Sequence, residues 1–342
     1  MLDVKKIQNV DLDYLTHIIS TDEYDEEIFR TADEIRRKYV GDEVYLRAII
    51  EFSNYCSQHC LYCGLRAENK NLTRYRMSVE EIVARAKLIA QMGIKTVVLQ
   101  SGEDPYYTTE MMCDIIKQIK ELDVAITLSI GERTFEEYRI WKELGADRYL
   151  MRHETASPEL YAKLHPGDTF ENRKAHLYEI KRLGYETGAG FMVGLPGQTP
   201  YDLALDLAFL KEIDADMIGI GPYIPNPDTP LKDANGGDLK TTLRMVALAR
   251  IVVPTANIPA TTALGSINPY GRQYGLKYGA NVIMPNLTPN PYRPNYSLYP
   301  GKICLFEKDT ACVECTKAMI KSVGLTVGEG FGSRKRIDEI FV

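Results

Sequence analysis

Along this chain the hydrophobic period switches repeatedly between two and 3.6 residues. Short runs rich in β-branched residues alternate with longer stretches carrying an apolar stripe, which predicts strands separated by helices. The strands fall at 44–53, 95–101, 124–130, 147–153, 185–193, 215–223, 257–263 and 280–285. Helices are expected at 78–93, 108–121, 134–144, 170–183, 199–212, 240–250 and 270–277. The first of these has explicit ends: Ser78 and Glu81 are spaced as a capping box, and Gly93 supplies the stop. Strands that alternate with helices pair in parallel, and eight units favour a complete α/β (β/α)8 TIM barrel over an open doubly wound sheet. Residues 1–43 then form an N-terminal helical segment, 44–285 the barrel, and 286–342 a C-terminal extension covering it. In such a barrel the chemistry gathers at the C-terminal ends of the strands.

Composition narrows the picture by exclusion. The 342 residues are 45% hydrophobic and 26% charged, with a net charge of −6. A mildly acidic chain offers no general attraction for nucleic acid or an anionic membrane. No apolar run is long enough to span a bilayer, and the opening MLDVKKIQNVDLDYLTHIIS lacks the apolar core of a signal peptide. A cytoplasmic protein with reduced thiols is expected.

The seven cysteines are clustered, which points to metal rather than disulfides. Cys56, Cys60 and Cys63 follow the first strand with spacing C-x3-C-x2-C. A structural zinc site wants four closed ligands, and His59, adjoining Cys60, is poorly placed to be the fourth. An iron–sulfur cluster can be held by three thiolates with one iron left open for a small molecule.

With Tyr62 just before the last cysteine, CSQHCLYC resembles the signature of radical S-adenosylmethionine (SAM) enzymes. That resemblance implies a [4Fe–4S] cluster on Cys56, Cys60 and Cys63, SAM on the open iron, and reductive cleavage to a 5′-deoxyadenosyl radical. It also implies SAM contacts at Tyr62, Gly102, Glu103, Glu154, Arg173 and Tyr296. The match at 101–103 is partial, because Ser101 replaces the first glycine of the family's Gly-Gly-Glu. Read without the resemblance, the same residues fit a strand-to-helix turn, a helix N-terminal acid, a solvated arginine and packing in a Pro-rich cover.

The longer text narrows the resemblance. RAIIEFSN, LYCGLR, VLQSGEDPYY, RHETA, GYETGAG, MVGLPGQT, IPNPDTPL, IPATTA, GANVIMPN and LYPGKICLFEKDTAC, spread over about residues 31–336, resemble the HydE-type maturases of [FeFe]-hydrogenase. These lie on the branch that includes biotin synthase and methylornithine synthase. The resemblance implies a cysteine-bound Fe(II) carbonyl cyanide substrate supplied by the maturase HydG, radical attack on sulfur, and a HydF scaffold as a further partner. Arg47, Gln100, Thr127, Arg152, Thr261 and Thr262 would line a polar, anion-accepting cavity, with Arg47 and Arg152 on a carboxylate. Internal ion pairing is the competing reading of the two arginines. Cys304, Cys312 and Cys315, spaced C-x7-C-x2-C, resemble a second-cluster site of [2Fe–2S] or [4Fe–4S] type, against a zinc site or free thiols. An amino-acid-modifying radical SAM enzyme such as methylornithine synthase, or a non-catalytic iron–sulfur or iron–carbonyl scaffold, stand as alternatives.

Overall fold

The computed structural model describes residues 1–340. A six-stranded parallel sheet forms its centre, with strands in sequence order: β2 (Ala48–Ser53), β3 (Thr96–Ser101), β4 (Ala125–Ser129), β5 (Arg148–Leu150), β6 (Glu186–Val193) and β7 (Met217–Pro222). A second sheet joins β8 (Val282–Ile283), β1 (Glu43–Leu46) and β9 (Thr326–Val327), also in parallel. β2 and β7 are buried along their whole length, as parallel strands are when helices cover the outer face.

Between β7 and β8 the connection is made by single bridges. Met217 pairs with Asn257 and Pro259 with Val282, while on the other side of β8 Ile49 of β2 pairs with Asn286. The expected strand 257–263 is therefore reduced to these bridges, and Thr262 instead begins a helix, Thr262–Ile267. Pro259 has no N–H to give, and the Ile258 N–H is bonded to the Asn281 side chain at 2.8 Å, so no regular ladder forms here. The expected first strand is interrupted at Arg47, and the fourth ends at Leu150, with Glu154 bridged separately to Phe191.

The helices fall close to their expected places. The helix Val79–Gln91 carries the predicted Ser78–Glu81 capping box, and Gly93 follows at φ +78°. A helix at Pro158–Leu164 was not expected from the pattern. Residues 1–43 contribute three helices. The last of them, Asp25–Tyr39, is tied to the helix Leu239–Val252 by a two-bond Arg244–Asp25 ion pair.

The segment after β8 reaches both ends of the strands. Its first part lies at their C-terminal ends, where Gln100 donates to the Tyr296 hydroxyl and Lys302 pairs with Glu51. After the helix Asp309–Ser322 and β9 the chain reaches the opposite end. There Thr96 and Arg148 donate to the Phe331 carbonyl (3.1 and 2.8 Å), and Arg47 and Asn257 donate to the Gly332 carbonyl (2.9 and 3.0 Å). Arg334 and Arg336 clamp this segment to Asp214 and Asp216. Among the described residues no helix is long and apolar enough to cross a membrane.

Candidate active site

The loop after β2 carries Cys56, Cys60 and Cys63 to the C-terminal end of the sheet. Its backbone is fixed from several sides. Ser57 N–H donates to the Glu103 carbonyl at 2.9 Å, and Leu61 N–H to the Leu164 carbonyl at 3.0 Å. Gly102 packs beneath it, where a side chain would come within 2.2 Å of the Tyr55 carbonyl. Two sulfurs accept backbone N–H groups: Gln58 N to Cys56 Sγ at 3.5 Å and Leu65 N to Cys63 Sγ at 3.4 Å. Burial pushes all three thiols up, Cys63 to about 12, with the neighbouring thiols adding to the shift at Cys60 and Cys63. The thiols are thus protonated until a metal group displaces the protons. Among the described residues no three His, Cys, Asp or Glu side chains converge on a single-ion position. An iron–sulfur cubane takes three thiolates from one loop, and the C-x3-C-x2-C order with N–H groups offered to two of the sulfurs fits one.

Beside Cys63 opens a cavity of about 340 Å³. It brings together nine of the residues expected from sequence: Tyr62, Cys63, Gln100, Arg152, Glu154, Arg173, Thr261, Thr262 and Tyr296. Glu154 is paired with Arg152 at 3.2 Å through one oxygen, while its other oxygen is buried without a partner. Thr261 Oγ1 is likewise buried and unpartnered. Unmet hydrogen-bonding groups on a cavity wall fit a polar ligand such as the amino acid and ribose ends of SAM. Arg173 is held by Glu132 at 2.9 Å and Tyr161 at 3.2 Å. The His165 Nδ1–H donates to the Tyr161 carbonyl at 3.0 Å, so Nε2 accepts from the Tyr62 hydroxyl at 2.8 Å, which fixes the Tyr62 ring against the cavity.

Four of the expected SAM and substrate-cavity residues lie elsewhere. Gly102 and Glu103 sit behind the cysteine loop. Glu103 accepts from the Gln58 side chain and from the Glu132 N–H (2.9 Å), so its carboxylate is already engaged in holding the loop. Arg47 and Thr127 line a small separate pocket below the main one, sharing Leu150, Gly219, Pro259 and Met284 with it. Two Arg47 nitrogens reach the Gly332 carbonyl and the Met217 sulfur, while its Nε is buried without a partner, and Arg152 lines the main cavity above. Arg47, at the break between β1 and β2, reaches the end of the sheet opposite the cysteine loop, where Gly332 lies.

Other residues were missed. Glu51 and Lys302 form an ion pair on the cavity wall, and Asn286 donates to the other Glu51 oxygen at 2.7 Å. An acid inside the apolar run of the first strand was a usable signal. Nothing in the sequence placed Lys302 beside it. Tyr299 and Met192 also line the cavity. Cys304, Cys312 and Cys315 lie away from this site. The Cys304 and Cys312 thiols are hydrogen-bonded, which pulls Cys304 down to about 6 and Cys312 up, and Cys315 is exposed on the helix Asp309–Ser322.

His153, next to Glu154, is fully buried and pushed down to about 3 by burial. Its folded pKa lies below the ordinary value near 6.5, so its contribution to stability is complete above pH 6.5. That contribution falls away as pH drops toward 3, because the unfolded chain takes the proton first. Urea unfolding between about pH 5.5 and 4 should show close to one extra proton bound on unfolding, about 1.4 kcal/mol per pH unit. The slope should flatten by that amount in His153→Gln.

A family model described as the Radical SAM superfamily matches residues 50–210. The chain is 63% identical over 316 residues to the [FeFe] hydrogenase maturase subunit HydE of Thermotoga maritima, covering 92% of this chain and 91% of that protein. It is 30% identical to the 3-methylornithine synthase of Methanosarcina acetivorans, over 81% and 79% of the two chains. The crystal structure of methylornithine synthase (PylB) superposes with a TM-score of 0.82 at 25% identity, covering 95% of this chain and 97% of that one. A cysteine loop at the strand ends, a polar cavity beside it and this near-complete likeness place the chain in the radical SAM superfamily and, within it, in the HydE family.

Proposed function

We propose that this protein is a radical SAM maturase in assembly of the [FeFe]-hydrogenase H-cluster. The observation that carries the reading is the adjacency of Cys63 to a cavity whose wall holds the unpartnered Glu154 and Thr261 atoms. Cys56, Cys60 and Cys63 would hold a [4Fe–4S] cluster, and Tyr62, Glu154, Arg173 and Tyr296 would hold SAM. Once bound and reduced, the pair supplies a 5′-deoxyadenosyl radical. The chain's own residues do the rest. Glu154 and Arg173 fix opposite charges of the methionine portion, and Tyr62 and Tyr296 flank the nucleoside. Gly102 and Glu103 act one step back, by fixing the cysteine loop.

The bridges from β7 through Asn257 and Pro259 to β8, and from Ile49 to Asn286, support reading the two sheets as one complete (β/α)8 ring. A closed ring excludes water from a reactive intermediate. The substrate is a cysteine-bound Fe(II) carbonyl cyanide complex supplied by HydG, and HydF is the acceptor of the product. Arg152, Gln100, Thr261 and Thr262 are the residues suited to its anionic ligands, with Arg47 and Thr127 below them. Cys304, Cys312 and Cys315 hold a second iron–sulfur cluster in this reading. All seven cysteines are unpaired, which suits a cytoplasmic setting.

The test is anaerobic electron paramagnetic resonance (EPR) of reconstituted, reduced protein, with and without SAM. The [4Fe–4S]+ signal is expected to change shape on adding SAM. Maturation of apo-hydrogenase should then require this protein together with HydG. A signal indifferent to SAM would leave only a scaffold, and turnover of lysine would move the chain to the methylornithine synthase reaction.

A further inference from the structure

Glu154 is the one cavity acid with a left-handed backbone, at φ +65°, a conformation costing a non-glycine residue of order 1 kcal/mol. Something must hold it there. Its N–H donates to the Gly190 carbonyl at 2.9 Å and its own carbonyl accepts from Met192 N–H at 3.1 Å. These bonds fix where the residue sits against β6. The residues on either side are fixed by a different device.

His153 is wholly buried among the rings of Phe170, Phe191 and Phe209. Its Nδ1 accepts the Gly190 N–H at 3.2 Å, so the ring proton is on Nε2, which faces Asp206 Oδ1 at 3.3 Å. The same Asp206 oxygen accepts the Ala156 N–H at 2.5 Å. Asp206, on the helix Pro200–Glu212, is 0% exposed, and its second oxygen has no partner. One carboxyl oxygen therefore ties together the residue before Glu154 and the residue two after it. This pins both ends of the turn whose middle carries the cavity acid.

We infer that Asp206 and His153 are positioning residues that hold the 153–156 turn so that the Glu154 carboxylate points at SAM. The inference rests on the reading that Glu154 binds SAM. Neither Asp206 nor His153 lines the cavity, so their effect passes through Glu154. Only one Asp206 oxygen is used, and burial raises its carboxyl well above the usual range, so the site asks for a neutral acceptor of this shape rather than a charge. Asparagine supplies one.

The experiment measures SAM dissociation constants by calorimetry on reconstituted protein, with melting temperatures of the cluster-free variants alongside. Asp206→Ala should weaken SAM binding about tenfold or more, the scale seen when a group orienting a ligand-binding residue is removed. Asp206→Asn should stay within about threefold of wild type. Glu154→Ala should weaken binding by itself, and adding Asp206→Ala in that background should cost less than about twofold, because the two act as one unit. Should Asp206→Ala not fold, Asp206→Leu fills the same space without an acceptor and takes its place. Equal losses in the Asn and Ala variants, or a full Asp206→Ala loss retained in the Glu154→Ala background, overturn the inference. A wild-type protein with a reduced cluster and no SAM binding overturns both this and the proposed function, whereas wild-type binding with an indifferent Asp206→Ala overturns this inference alone.

Discussion

Cys63→Ala protein is expected to retain no SAM-responsive [4Fe–4S]+ signal and to cleave SAM only at background. Three thiolates are the minimum for a cluster with one open iron, and no spare ligand stands ready. His59 is exposed and engaged with Glu68, Glu103 is committed to the loop, and the free Glu154 oxygen faces the cavity that is to hold the ligand. Cys63 also forms part of the cavity wall, so its loss removes the link between cluster and ligand. Iron and sulfide content with EPR on the variant checks this. Cys315→Ala, far from the cavity, should leave the SAM-responsive signal intact. A full SAM-responsive signal in Cys63→Ala would mean that another residue completes the site.

The second large effect concerns the other end of the molecule. Deleting residues 330–342 should lower stability by about 3–5 kcal/mol, the scale for stripping partners from buried charge. Arg148 is 0% exposed and Arg47 is 3% exposed. Each gives a bond to a carbonyl of this segment, and Arg148 adds Ser333 Oγ at 3.1 Å. Without the segment Arg47 would face an open floor with only the Met217 sulfur against its guanidinium. At about 2–4 °C per kcal/mol for a chain of this order, the melting temperature should fall by roughly 10 °C. Gly332→Val should produce part of the same loss. Gly332 is at φ +61°, and a side chain there would come within 2.5 Å of the Tyr45 ring. An unchanged melting temperature in the deletion would show that the floor is sealed without this segment.

The sequence by itself determined the secondary-structure rhythm, the cap at Ser78, the parallel α/β class and the place of the cysteine loop. These are local matters: periodicity, caps and the spacing of three thiols are written in adjacent residues. It also named nine residues that meet in one cavity, because motifs at strand ends converge wherever parallel strands lie side by side. Where sequence reasoning fell short, the deciding contacts were distant. Arg47 looked like a cavity residue from its strand, but a break in that strand and a carbonyl 285 residues away turned it into part of the floor. Glu103 looked like a ligand-binding acid, but the Glu132 N–H and the Gln58 side chain had first claim on it. The seventh strand dissolved into bridges because Pro259 and the Asn281 side chain interrupt the ladder. Lys302 reached Glu51, and Asp206 reached His153, only through the fold. A local pattern fixes which face a residue presents, but a buried charge takes whichever partner the packed chain brings nearest, and that choice is made only in three dimensions.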